Sequence, residues 1–121
     1  MDKPHKKLDA WKVAIDLVSE VYRVTDSFPA REVYGLTSQI RRAAISVPSN
    51  IAEGAGRHTK KEFVNYLHIA QASLSELDTQ SEIAKTLGYL NATTWAKIDA
   101  QMERIDKMLS GLIRQQSRHT D

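Results

Sequence analysis

The sequence predicts an all-α fold, an antiparallel up-down four-helix bundle, on three observations. Four separate stretches repeat apolar residues at spacings of three and four, the period of one helix face. Nowhere do apolar and polar residues alternate with the period of two that marks a half-buried strand. The segments between the stretches are short, so consecutive helices have room only to fold back on one another.

The first stripe is Leu8, Trp11, Ile15, Val18, Tyr22 and Thr25, with Asp9 available to cap its start and Phe28-Pro29 to end it. The second is Leu36, Ile40, Ala44, Val47, Ile51 and Gly54. The third opens on the capping-box pattern Thr59-Lys60-Lys61-Glu62. It continues through Phe63, Leu67, Ala70, Leu74, Leu77, Ala84 and Leu87 and stops at Gly88. Asn91 can cap the fourth, which carries Trp95, Ile98, Met102, Ile105, Leu109 and Leu112. Asn91-Ala92-Thr93 also matches a glycosylation sequon, although capping is the simpler role. The whole chain, 1–121, is expected to be one domain with frayed ends at 1–6 and 116–121.

Pro48 falls inside the second stripe, where a proline removes a backbone hydrogen bond. One reading ends a helix at Val47 and starts another at Asn50, with Glu53 three residues on. The apolar phase, however, runs unbroken from Ile40 through Ala44 and Val47 to Ile51, which favours one helix kinked at the proline. Ser46 and Ser49 could then bond the carbonyls the proline frees. Ala52, Gly54, Ala55 and Gly56 would permit a close backbone approach.

The first helix carries a further stripe, Ala10, Ala14, Leu17, Val21, Val24 and Phe28, and the third adds Tyr66, Ile69 and Ile83. Together the first helix's two stripes are wider than the usual apolar face of about 100°. Ala14, Leu17, Val21, Val24, Phe28, Tyr66, Ile69 and Ile83 are therefore expected to form a subunit interface. On that reading, aspartate at Leu17 and Val21 should give soluble monomers.

Composition narrows the function classes. With no cysteine, the chain can form neither a disulfide nor a thiolate metal site. No run approaches the roughly 20 apolar residues that span a bilayer, and the N-terminus lacks the apolar core of a secretory signal, so a cytoplasmic protein is expected. His5, His58, His68 and His119 include no i, i+4 pair for a metal, and the Glu-x-x-His pattern of di-iron bundles is missing. Gly54-Ala55-Gly56 is half a phosphate loop, but it follows a helix rather than a strand and lacks the lysine, so a helix end is the better reading. No catalytic residue, cofactor or metal is expected, and no enzyme.

What remains is polar. Arg41, Arg42, Asn50, Glu53 and Arg57 on the second helix, with Glu76 and Gln80 on the third, form a set in which a second-helix arginine is the expected partner of a part-buried Glu76. Its members could be structural ion pairs or could contact a ligand or RNA. The net charge is only +2, with the basic excess in residues 31–58 and 91–121. Arg104, Lys107, Arg114 and Arg118 recur at three, seven and four, which lines one side of the fourth helix. With Arg41, Arg42, Arg57 and Lys97 they are the candidate nucleic-acid contacts. Asp99, Glu103 and Asp106 lie nearby and dilute the field.

The stretches QIRRAAISVPSNIAEGAGR and SLSELDTQSEIAKTLGYL resemble a bacterial four-helix-bundle family, the ribosomal-RNA intervening-sequence proteins, and the likeness runs from LDAWKVAIDLV to MLSGLIR. Arg41, Arg42, Pro48, Asn50, Glu53, Gly54, Arg57, Glu76 and Gln80 fall on that family's characteristic positions, while Ala72 stands for a usual glycine and Ser81 for a usual leucine. A more distant similarity is to the accessory protein of diversity-generating retroelements, a pentamer that binds nucleic acid and partners a reverse transcriptase. The resemblance implies a homopentamer, RNA or DNA as a partner and a reverse transcriptase or other protein as a further partner, and nothing in it supplies an enzymatic activity.

Overall fold

The computed structural model describes residues 1–118, so His119 and the rest of the expected frayed tail at 119–121 lie outside the described residues. Four helices make the fold: α1 (Asp9–Thr25), α2 (Leu36–Ala55), α3 (Lys60–Thr86) and α4 (Ala92–Ser117), with 3-10 turns at Pro4–Lys7 and Ala30–Glu32. No strand occurs among the described residues. Within the segments expected to fray, Pro4 opens a helical turn and α4 continues through Gln116 and Ser117.

Local chemistry sets most boundaries. Thr59 Oγ1 accepts from the Glu62 amide at 3.1 Å, and Asn91 Oδ1 accepts from the Thr94 amide at 2.8 Å. At the end of α3, Gly88 takes φ +81°, and the amides of Gly88 and Tyr89 turn back to the carbonyls of Lys85 and Ala84. This pair of bonds satisfies two carbonyls that the helix would otherwise leave open. Asp9 does not cap α1. Leu8 holds the cap position without a side-chain bond, and Asp9 lies within the first turn, where its negative charge still favours the helix N-terminus.

The helices pack in a ring, α1 on α2, α2 on α3, α3 on α4 and α4 on α1, which leaves α2 and α4 on opposite corners. Cross-helix pairs fix the directions. Tyr22 meets Arg41, whereas Trp11 and Ile15 share a cleft with Pro48 and Ala52. Ser46 bonds Ser73 at 2.7 Å, whereas Gly54 lies against Phe63 and Tyr66. Gln71 reaches Ser110, whereas Lys85 stacks on Trp95. Residue numbers rise along one helix as they fall along its neighbour, so neighbours run in opposite directions.

The core corrects one expectation. Ala14, Leu17, Val21, Val24 and Phe28, assigned above to a subunit interface, are buried inside this chain, packed with Val47, Ile51, Leu77, Ile105 and Leu109. The face of α1 that points outward is the other one, where Ile15 is 42% and Tyr22 41% exposed. Two adjacent stripes share one period, so spacing alone does not say which turns inward. The packing of α2 and α4 decides it: both helices lie against the Leu17 face, where Ala10 and Ala14 are buried as well. Of the remaining interface candidates Tyr66 is half-buried, and Ile69 and Ile83 are exposed.

α2 passes through Pro48 as one helix, and the proline itself is buried. Ser49 Oγ donates to the Ile45 carbonyl at 2.8 Å, and Asn50 Nδ2 donates to the Ser46 carbonyl at 2.8 Å. Ser46 does not serve a freed carbonyl. Its hydroxyl accepts from Asn50 and pairs with Ser73 on α3, so a local repair becomes a contact between helices. No helix of the described residues is long and apolar enough to cross a membrane.

Candidate functional site

The polar set does not assemble into one site. Near the start of α2, Arg41 Nε donates to Thr25 Oγ1 at 2.8 Å, and its guanidinium lies 4.5 Å over the Tyr22 ring and 3.5 Å from Asp26. Arg41 thereby closes the C-terminal end of α1, where exposed carbonyls favour a cation; one of its nitrogens also approaches the Tyr22 carbonyl. Arg57 lies at the other end of α2, roughly 24 Å away at the usual helical rise. There it bonds Glu53 and the Tyr66 hydroxyl, each at 2.6 Å, and lies over the Tyr66 ring. Asn50, in between, is spent on Ser46. Arg41 thus ties α2 to α1 and Arg57 ties the end of α2 to α3, whereas the Asn50 bond lies within α2.

Glu76 departs from expectation. It is exposed, and the side chain it meets is Gln80, whose Nε2 donates at 3.2 Å, rather than an arginine of α2. An exposed carboxylate keeps its hydration and needs no buried cation. Gln80 and Ser81 are the buried members of that turn, and Gln80 Oε1 has no partner among the described residues.

The candidate nucleic-acid contacts fall on two opposite corners. Arg104, Lys107, Arg114 and Arg118 are exposed on the side of α4 away from buried Ile98, Met102, Ile105 and Leu109. None of the four forms an ion pair among the described residues. Asp99, Glu103 and Asp106 sit on the α3 flank, where they share a cleft with Asp78. Lys97 faces α1 instead, 3.5 Å from Glu20. A hydrogen bond from Arg23, helped by the charges of Arg23 and Lys97, holds the Glu20 carboxyl below its ordinary value despite partial burial. Arg41, Arg42 and Arg57 stand across the bundle, and of these Arg42 is exposed and without a side-chain partner among the described residues.

Two features escaped the sequence reading. Trp11, Ile15 and Val18 of α1 join Ile45, Pro48 and Ala52 of α2 along one apolar cleft, which continues past Ile45 to Tyr22 and Val33. Its α1 half belongs to the first apolar stripe of that helix. The other feature is Thr37, 6% exposed, with Oγ1 unpartnered among the described residues. Its signal was present: Thr37 stands three residues before Ile40, in phase with the buried stripe. Among the described residues no three metal-ligating side chains come together. His5 rests edge-on to Trp11, and His58 and His68 are exposed.

The bundle has close structural company. A crystal structure of a protein of unknown function from the S23 ribosomal protein family of Bacteroides thetaiotaomicron superposes with a TM-score of 0.80. The match covers 86% of this chain and 97% of that one at 19% identity, which establishes a shared fold. No curated protein matches the chain. Residues 6–111 match the family described as 23S rRNA-intervening sequence protein, and the chain belongs to that family.

Proposed function

We propose that this protein is a non-enzymatic, homo-oligomeric bundle of the cytoplasm that binds RNA or DNA as an accessory or scaffold. The observation that carries this reading is the outward row Arg104, Lys107, Arg114 and Arg118, charged, exposed and without ion pairs among the described residues. Cations without partners keep their field for a polyanion, and each phosphate neutralised releases counterions. The acids on the α3 flank weaken the field of one subunit. Repetition of the row around an oligomer restores affinity through simultaneous contacts. No row of exposed aromatics accompanies the charges, so binding should tolerate sequence.

Labelled single-stranded RNA and duplex DNA should therefore bind at about 50 mM salt. Affinity should fall by roughly 0.7 to 0.9 log units per log unit of salt for each phosphate contacted. Arg104→Glu combined with Arg114→Glu should abolish the complex while circular dichroism and oligomer size stay unchanged. Absence of any complex with either polymer at low salt would remove this reading.

The apolar face of α1 and α2 favours the second reading, a protein-interaction module. It is also the surface we assign to self-association, in place of the buried Leu17 face, and a ring of five is the assembly we propose. Sedimentation at micromolar concentration should show an oligomer. Ile15→Asp with Ile45→Asp, both at positions about two-fifths exposed, should yield helical monomers. A monomeric wild type would refute self-association and leave the face to a different protein.

A further inference from the structure

We propose that the outer face of α3 docks a basic amphipathic helix of a partner protein, through Ile69, Ile83 and Leu87 and the carboxylates of Glu76, Asp78 and Glu82. This face is separate from the α4 row and from the α1–α2 cleft and depends on neither.

α3 is apolar on two sides. Its inner stripe, from Leu67 through Leu74 and Leu77 to Ala84, is buried in the core. The outer side repeats the pattern: Ile69, Ala72, Glu76, Thr79 and Ile83 recur at three and four, and Leu87 follows one turn later. All six are exposed, Ile83 at 44% and Leu87 at 54%. Single apolar side chains on a surface are ordinary. A run of them in one helical phase, turned away from the core, is the seam that one helix offers another.

Rows spaced by four shape this surface. Asp78, Glu82 and Thr86 make one ridge and Thr79, Ile83 and Leu87 the next, and a groove of about 360 Å³ runs between them. A second helix packs its own ridge into such a groove. The backbone of α3 is spent on its own hydrogen bonds, so the face has no open edge for an extended strand to join.

Charge selects the occupant. Between Lys61 and Lys85 the sequence holds no lysine or arginine, and Lys85 is turned onto the Trp95 ring of α4. Glu76 accepts from Gln80, and neither it nor Asp78 nor Glu82 forms an ion pair among the described residues. Asp78 also borders the cleft of Asp99, Glu103 and Asp106, so the negative rim continues onto α4. Glu76 stands inside the seam, where a docked helix strips its water and must return a cation. The arginine that α2 does not bring to Glu76 comes from the partner.

Other occupants fit less well. The rim repels a polyanion, and no three of its carboxylates come together to hold a metal ion among the described residues. A second copy presenting the same face sets carboxylate against carboxylate, and one presenting its α4 row brings the neighbouring Glu103 and Asp106 with it. A helix with apolar residues at three and four, flanked by lysine or arginine, satisfies both seam and rim.

Phage-displayed helical peptides, selected against the full chain, test this. Enriched sequences should carry apolar residues at spacings of three and four and a net positive charge. The synthetic peptide should shift the amides of residues 69–87. Ile83→Glu should weaken it by roughly tenfold or more, with circular dichroism and oligomer size unchanged. Glu76→Lys with Glu82→Lys should weaken it comparably, and should bind better than the wild type a peptide whose basic residues are replaced by glutamate. No enriched peptide, enrichment without positive charge, shifts confined to other faces, or wild-type affinity in both variants would overturn the docking surface. An oligomer that dissociates on Ile83→Glu would give the face to a second copy and overturn it equally.

Discussion

Leu17→Asp will unfold the chain rather than release monomers. Leu17 is fully buried in the wall of the bundle, beside Ala14 and Val21 and among side chains from every other helix. Deleting most of such a side chain costs about 2–5 kcal/mol by itself. The aspartate adds a carboxylate with no partner, and an unpaired buried charge costs several kcal/mol more or forces the group to take up a proton. A domain of this size has only about 5–15 kcal/mol of stability in total, so the sum consumes most of it. Far-UV circular dichroism at 25 °C should show loss of helix, and any residual structure should melt far below the wild type. Ile15→Asp, two residues away on the exposed side, is the control and should keep both helix content and most of the stability. A Leu17→Asp protein that stays helical and melts like the wild type would mean that the Leu17 face is not the core.

That reversal shows what a sequence of this kind carries. Features that depend on a few consecutive residues were legible: Thr59 and Asn91 cap α3 and α4 through their own side chains, and Gly88 supplies the positive φ that ends α3. The outward row on α4 was legible too, because the core stripe and the charges share one helical period. The inward face of α1 was not. Leu17 and Ile15 belong to neighbouring stripes of equal periodicity, and only the positions of α2 and α4 decide between them. The same limit applies to the candidate site. Arg41 meets Tyr22 and Thr25, and Arg57 meets Tyr66, across helix contacts that no spacing rule encodes. Glu76 looked part-buried beside the α3 stripe, yet it is exposed while Gln80, one turn further along the same face, is buried, a difference set by what packs on each turn.

Gly54→Ala should destabilise the protein although alanine is the better helix former. Gly54 lies in the last turns of α2, buried where α2 crosses the start of α3. A Cβ there would lie 2.6 Å from Tyr66 Cβ, 3.0 Å from Phe63 Cδ1 and 3.2 Å from the Phe63 carbonyl oxygen. The closest of these atoms is a Cβ, fixed to the α3 backbone, so rotation of the tyrosine ring gives no relief and the two helices must move apart. Overpacking of this kind costs about 1–3 kcal/mol, which outweighs the roughly 1 kcal/mol that alanine gains over glycine in a helix. Separation of α2 from α3 would also strain the neighbouring Ser46–Ser73 bond and the Arg57–Tyr66 contact. Gly111→Ala provides the opposite sign from the same chemical change. Gly111 is inside α4, and its nearest neighbour to an added Cβ is the far end of the Arg114 side chain at 3.9 Å, so the helix-propensity gain should appear almost undiminished. Urea titration of the two variants should move the midpoint down for Gly54→Ala and up for Gly111→Ala, with Gly54→Val lower still because its branches enter the same space. A Gly54→Ala midpoint at or above the wild type would show that α2 and α3 are not held together as closely as these distances require.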